Sequence, residues 1–259
     1  MGPLPIDVPV PGSSFTDLLD AVGAGPALTL PENAVLPSVP EGTTVLAMRY
    51  GDGVVIAGDR RATEGHLVAH RRIQKVFEAD HFSAVAVAGT AGLAIDMVRL
   101  FQVELEHYEK IEGVRLSLEG KASFLARLVR NQLPMAFQGL IVVPLFAGYD
   151  EAEETGRVYT FDVVGGRYEE IDFGSTGSGA RLAKAYLRTA YHPDLTGEEA
   201  AEMAVRALIS ASQEDTATGG ADITRGIFPT VMQIDSDGAR ELGDDVIGPY
   251  ATDAVETIR

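Results

Sequence analysis

The feature that most constrains this chain is that its strand-like and helix-like segments arrive in blocks rather than in alternation. Residues 44–50 and 54–57 read as strands joined by Gly51-Asp52-Gly53, a hairpin signal, and residues 82–88 form a further apolar strand. Two long helical patterns follow. The first spans about residues 92–111, with Leu93, Met97, Leu100, Phe101, Leu105 and Tyr108 on one side; the second spans about residues 116–133, with Ala122, Leu125, Leu128, Val129 and Leu133, and stops near Pro134. Strands return at residues 139–148, 157–162 and 167–172, and helices at about residues 178–190 and 197–213. The last of these opens on Thr196-Gly197-Glu198-Glu199, a capping-box pattern, and strands at about residues 229–235 and 238–243 follow it. Strict strand–helix alternation would specify a parallel sheet, whereas blocks specify antiparallel sheets covered by helix pairs. The expected fold is therefore α+β: a four-layer αββα sandwich of two antiparallel sheets flanked by helix pairs, ending in a short C-terminal tail.

Residues 1–40 have a different texture. They hold more than half of the thirteen prolines and show sustained periodicity only at Phe15, Leu18, Leu19 and Val22, one face of a short helix opening near Ser13-Ser14. They read either as a disordered arm or as an arm that grips a partner during assembly. The N-terminus lacks the basic segment and apolar core of a signal peptide, and Ile6 argues against myristoylation. The best apolar run, residues 140–147, is short and contains Pro144, so no membrane span is expected and a cytoplasmic protein is the default. A net charge of −17 argues against nucleic-acid binding, which needs a basic footprint, and the absence of cysteine excludes disulfides, thiolate metal sites and cysteine nucleophiles.

The chemistry concentrates around Gly42-Thr43. A chain-internal threonine is a poor nucleophile because nothing takes its proton. Freed at an N-terminus, it carries an α-amine of reference pKa about 8 that can do so. Gly42, lacking a Cβ, lets the hydroxyl of Thr43 approach the preceding carbonyl. Lys75 lies in a half-buried, strand-like stretch; a cation beside Thr43 would favour proton transfer near neutral pH, and Asp59 could hold that cation. Gly89-Thr90-Ala91-Gly92, at a strand-to-helix junction, offers backbone N–H groups to a developing oxyanion. Gly177-Ser178-Gly179 and residues 215–220 are small-residue loops that match no phosphate-binding pattern. Asp235-Ser236-Asp237-Gly238 lacks the downstream ligands of a calcium loop and reads as a hairpin turn. His66 and His70 have a metal-like spacing, but in a stretch read as strand or turn; no metal and no cofactor is assigned.

Taken in order, Gly42-Thr43-Thr44, Gly58-Asp59-Arg60-Arg61-Ala62-Thr63, Lys75, Gly89-Thr90-Ala91-Gly92, Gly177-Ser178-Gly179 and Asp215-Thr216-Ala217-Thr218-Gly219-Gly220 make the chain similar to the β-type subunits of the 20S proteasome, of the actinobacterial kind. The likeness runs from Thr43 to about residue 245. It implies an N-terminal-nucleophile threonine endopeptidase in which residues 1–42 are a propeptide, removed when Thr43 attacks Gly42, and residues 43–259 are the catalytic domain. The chain as written would then be an inactive precursor. By this resemblance Thr43 is the nucleophile, its α-amine the general base, Gly89 the oxyanion donor, and Lys75 and Asp59 tune the threonine. Ser178, Asp215 and Thr218 complete the hydrogen-bond network, with Thr218 standing where relatives often have serine. Ala62, Ile73, Phe77, Val87, Ala91 and Ile95 map to a specificity pocket suited to large apolar P1 side chains, and Thr63 and Ala91 would align the substrate as an added strand.

The resemblance also implies homo-heptameric β rings stacked between rings of α-type subunits, and unfolded protein substrates delivered through the α ring by an ATP-dependent unfoldase. Two other readings differ in their residues. The simpler two-ring bacterial relatives usually carry Gly-Asp-Gly-Gln where this chain has Gly-Asp-Arg-Arg, and lack so long a leader. A non-catalytic structural ring subunit typically loses the Gly-Thr junction or the lysine, and both are present here.

Overall fold

The computed structural model describes residues 42–64 and 67–258. Residues 1–41 of the leader, including the face at Phe15, Leu18, Leu19 and Val22, lie outside the described residues, as does His66. Strands β1 (Thr44–Tyr50) and β2 (Gly53–Gly58) form the first hairpin, followed by β3 (Ala62–Glu64), β4 (Leu67–His70), β5 (Val76–Asp80) and β6 (Ser83–Gly89). Helices α1 (Ala91–Glu112), α2 (Leu118–Asn131) and the short α3 (Leu133–Ala136) come next, then β7 (Val142–Asp150), β8 (Thr155–Phe161), β9 (Arg167–Glu170) and β10 (Phe173–Gly177). Helices α4 (Ala180–Ala190) and α5 (Gly197–Glu214), strands β11 (Thr230–Asp235) and β12 (Gly238–Glu241), and helix α6 (Asp244–Ile258) complete the chain.

Two five-stranded antiparallel sheets carry the fold, in the orders β10-β1-β2-β11-β12 and β5-β6-β7-β8-β9, with β3 and β4 as a separate ribbon. Side chains alternate between the faces of a strand, and that alternation builds the layers. On β1, Val45 and Ala47 point into the apolar layer between the sheets, while Leu46 and Met48 point outward under α4, α5 and α6. On the other sheet, Ala84 and Ala86 face inward, whereas Val85 and Val87 pack under α1 and α2 with Phe101, Leu125 and Phe146. Each large aliphatic side chain buried this way contributes roughly 1.5–3 kcal/mol. The four-layer α+β sandwich expected from the block order is the observed architecture.

Several local readings need correction. The C-terminal tail is helix α6, which buries Ile247, Ala251 and Ala254 against α5 even though Pro249 lies inside it. On α1 the buried face is Ala94, Met97, Val98, Phe101 and Leu105, and Leu100 and Tyr108 are exposed. Pro134 does not simply end a helix. It opens α3, in a first turn where its missing N–H is not needed. The capping box at Thr196 and Glu199 forms as the sequence indicates. Asp235 and Gly238 pair across a hairpin, with Gly238 at φ 109°. No helix among the described residues is long and apolar enough to cross a membrane.

Candidate active site

The site assembles from strand ends, and the register of β1 explains why. β1 is antiparallel to both of its neighbours, so its first residues lie beside the last residues of β2 and β10: Val45 pairs with Gly58, and Thr44 with Gly177. Thr44 therefore meets Asp59, one residue beyond β2, and Thr43, one residue before β1, meets Ser178, one residue beyond β10. Lys75 precedes β5 and comes from the opposite sheet.

Asp59 is essentially inaccessible, and its carboxylate accepts four hydrogen bonds. Oδ1 takes the Thr44 N–H at 2.9 Å and the Lys75 ammonium at 2.7 Å. Oδ2 takes the N–H groups of Arg61 at 2.9 Å and Gly219 at 2.8 Å. The three backbone donors hold the carboxylate in place for the lysine. Lys75 is 4% exposed and spends its three N–H donors on Asp59 Oδ1, the Arg61 carbonyl at 2.5 Å and the Gly42 carbonyl at 3.2 Å. Burial pulls its pKa below the ordinary lysine range, and the Asp59 carboxylate opposes that pull.

A second network holds the other side of Thr43. The Ser178 N–H donates to the Thr43 carbonyl at 2.8 Å. The Ser178 hydroxyl donates to Asp215 Oδ2 at 2.5 Å and lies 3.4 Å from the same carbonyl. Thr218 also donates its hydroxyl proton to Asp215. In the 2.5 Å contact between the Thr44 and Thr218 hydroxyls, Thr44 must therefore be the donor. The Gly179 N–H in turn donates to the Thr44 hydroxyl at 2.8 Å. Asp215 is the terminal acceptor of a short hydroxyl chain that ties the loops at 178–179 and 215–218 to the start of β1. Gly177 makes the close approach feasible: it sits at φ 98°, and a Cβ there would lie 1.9 Å from the Thr43 carbonyl oxygen.

Gly89 closes β6 on the opposite sheet, at φ 113°. Successive backbone N–H groups of a strand point to opposite neighbours. The Val87 N–H donates to Lys75, just before β5, and the Thr90 N–H donates to Ile141, on the β7 side. The Gly89 N–H therefore points to the β5 side, past the end of that strand, where the cavity begins.

That cavity has a volume of about 700 Å³. Gly42, Thr43, Lys75 and Gly89 line it, together with Ala62, Thr63, Ile73, Val87, Ala91 and Ile95. Phe77 is not part of this lining; its side chain packs into the apolar layer beneath α1 and α2. The strand period explains the miss, because within β5 a shift of one residue exchanges the two faces. The sequence also left unassigned Thr44, Arg61 and Gly219, which bond to Asp59 or to the hydroxyl chain. Adjacency was their only signal: each neighbours a residue that was singled out. Gln74, Thr90, Ala94, Gly139 and Leu140 complete the cavity lining. Among the described residues, no group of three or more His, Asp or Glu is placed to hold a metal ion.

In comparisons with known proteins, residues 39–224 match the sequence profile of a family described as "Proteasome subunit". The chain is 51% identical over 249 residues to "Proteasome subunit beta" of Acidimicrobium ferrooxidans, covering 96% of this chain and 91% of that one. It is 49% identical over 262 residues to the protein of the same name from Streptomyces griseus, covering 98% and 92%. A third relative of that name, from Acidothermus cellulolyticus, is 51% identical over 225 residues, covering 85% and 78%.

Proposed function

The chain belongs to the proteasome subunit family, and from that premise we propose that it is a catalytic β-type subunit, a threonine endopeptidase that frees its own nucleophile. The observation that carries this reading is the buried Asp59–Lys75 pair, whose ammonium lies on the carbonyl of the Gly42–Thr43 peptide bond.

Self-cleavage follows from that placement. The Thr43 hydroxyl oxygen attacks the Gly42 carbonyl carbon, the carbon–nitrogen bond to Thr43 breaks, and the hydroxyl proton ends on the departing nitrogen. Water then hydrolyses the resulting ester, leaving a carboxylate on Gly42 and both hydroxyl and free amine on Thr43. Residues 1–42 depart as a propeptide, and residues 43–259 form the mature chain.

In the mature chain, the amine of Thr43 accepts its hydroxyl proton as the oxygen attacks a substrate carbonyl. The Gly89 N–H, directed into the cavity, stabilises the oxyanion; removing such a donor typically costs about 10²–10³ in rate. The leaving amine takes the proton from the ammonium, an acyl ester remains, and water releases it with the amine again acting as base. Lys75, held by Asp59, disfavours protonation of its neighbours through its charge. Ser178, Asp215 and Thr218 fix the Thr43 backbone rather than touch the substrate. Ala62, Ile73, Val87, Ala91 and Ile95 make an uncharged wall suited to large apolar side chains, and Thr63 and Ala91 offer backbone to an extended peptide.

The family implies assembly into a proteasome core with other subunits. We assign to this chain a homo-heptameric β ring within a cytoplasmic particle, capped by α-type subunits and fed with unfolded protein by an ATP-dependent unfoldase. The deciding experiment is the intact mass of the chain co-expressed with an α-type subunit. Loss of the mass of residues 1–42 supports the peptidase; an uncut chain in assembled rings leaves a purely structural subunit.

A further inference from the structure

Gly42 has a neighbour that the cleavage chemistry does not use. A Cβ built on Gly42 would lie 2.4 Å from the Thr63 hydroxyl oxygen, a separation that real Cβ contacts essentially never show. Thr63 lies on β3, where it pairs with Val68, and its β-branched side chain is stiff about χ1. It cannot swing away as the end of a long side chain would. Nor can Gly42 retreat freely, because its carbonyl is held at 3.2 Å by the buried ammonium of Lys75. The residue before Thr43 is therefore confined between Thr63 and Lys75. Gly42 is not among the left-handed glycines of the described residues, so the demand for glycine here comes from the neighbouring side chain rather than from backbone conformation.

We propose that Thr63 is a specificity-determining residue of self-cleavage: its side chain excludes any Cβ at position 42 and so makes glycine obligatory before the nucleophile. This rests on the reading that the Gly42–Thr43 bond is the one cut. The role concerns the bulk of the side chain and is separate from the backbone contacts that Thr63 offers a substrate. A larger residue at position 42 would push its carbonyl off the Lys75 ammonium and away from the Thr43 hydroxyl, because sub-ångström displacement is enough to spoil attack geometry.

The test is a double-mutant cycle on the full chain, co-expressed with an α-type subunit, with the rate of appearance of the mature mass as readout. Gly42→Ala is expected to slow processing by at least about tenfold. Adding Thr63→Ala, which removes the obstructing oxygen, should recover most of that loss. Adding Thr63→Val, which keeps the bulk and discards the hydroxyl chemistry, should not. Each double variant is compared with the matching Thr63 single variant, so any effect of Thr63 on peptide alignment cancels. A parallel cycle with Gly42→Ser covers the case in which an alanine variant fails to assemble. Unhindered processing of Gly42→Ala, no recovery with Thr63→Ala, or equal recovery with Thr63→Val would each overturn the proposal. A wild-type chain that is never cut would instead overturn the peptidase reading on which it rests.

Discussion

The ammonium of Lys75 stands 3.2 Å from the carbonyl oxygen of Gly42, the residue that lies across the proposed cleavage point from Thr43. One buried cation is thus shared between Asp59 and a carbonyl that the proposed cleavage would remove with the leader. Once Gly42 leaves, one of the three Lys75 donors is released beside Thr43 while the other two stay on Asp59 and the Arg61 carbonyl. Cleavage would change the surroundings of the nucleophile as well as exposing its amine.

Replacing Thr43 by alanine tests the nucleophile. Removal of the attacking group is expected to abolish leader loss and to lower peptidase activity by about 10³-fold or more. Rings should still assemble, because the Thr43 backbone contacts to Ser178 do not involve its side chain. Intact mass and hydrolysis of a fluorogenic peptide read both outcomes.

Lys75→Ala is expected to damage stability as well as activity. The Asp59 carboxylate would remain buried without its cation, and breaking a buried pair from one side costs about 3–5 kcal/mol. The paired variant Lys75→Met with Asp59→Asn, which removes both charges and keeps a side-chain carbonyl oxygen for the backbone donors, should lose less stability while remaining inactive. Denaturant unfolding of the assembled particle, set beside its peptidase rate, separates the two effects.

The pH dependence should split activity from stability. Burial lowers the Lys75 pKa below the ordinary 10.5. Between the lowered value and 10.5 the unfolded lysine holds its proton and the folded one has lost it, so this group adds stability as pH rises through that window. Catalysis runs the other way, because the cation disappears. The Tyr159 hydroxyl, pushed up to about 12 by burial, lowers stability only above its ordinary value of 10. The alkaline decline of kcat/KM should therefore set in below the ordinary lysine pKa of 10.5, with no matching fall in Tm at its onset. Coincident loss of both would remove Lys75 as the cause.

The apolar wall of the cavity predicts a preference for large apolar P1 residues over acidic or basic ones. Ala91 is exposed on that wall, at the first turn of α1, and enlarging it should not disturb the core. Ala91→Phe is expected to reduce kcat/KM for a P1-tyrosine peptide relative to a P1-alanine peptide by about 10–200-fold. An unchanged ratio would mean that the P1 side chain binds elsewhere.

The block order of the elements was legible because the sheets are buried on both faces, so their strands read as near-continuous apolar runs. The capping box at Thr196 and the turn at Gly238 carried chemistry specific enough to place them. What escaped notice lacked that chemistry. Helix α6 contains Gly248 and Pro249, two residues that argue against a helix, and it survives because Ile247, Ala251 and Ala254 are buried against α5. Strand β10, Phe173–Gly177, holds two glycines and looks like a loop, yet five of its residues pair with β1. At the site, residue identity pointed to Asp59 and Lys75 because charged groups announce themselves, whereas Ser178 was singled out only through the family resemblance. The position of Phe77 depended on which face of β5 it occupied, and a run of mixed polarity does not fix that.

Thr43 and Asp59 hang from one sheet, whereas Lys75 and Gly89 hang from the other. The Lys75–Asp59 pair is therefore a fastener across the seam between two separate hydrogen-bonded ladders. Ala47, Ala84, Ala86 and Ala147 lie in that seam among larger Val, Ile, Leu and Met side chains, and the packed layer sets how closely the halves approach. The spacing between Thr43 on one sheet and Gly89 on the other is then a tolerance that depends on a layer packed well inside the molecule. A single added methylene at Ala86 would act as a shim, opening the reactive gap without touching any residue that lines it.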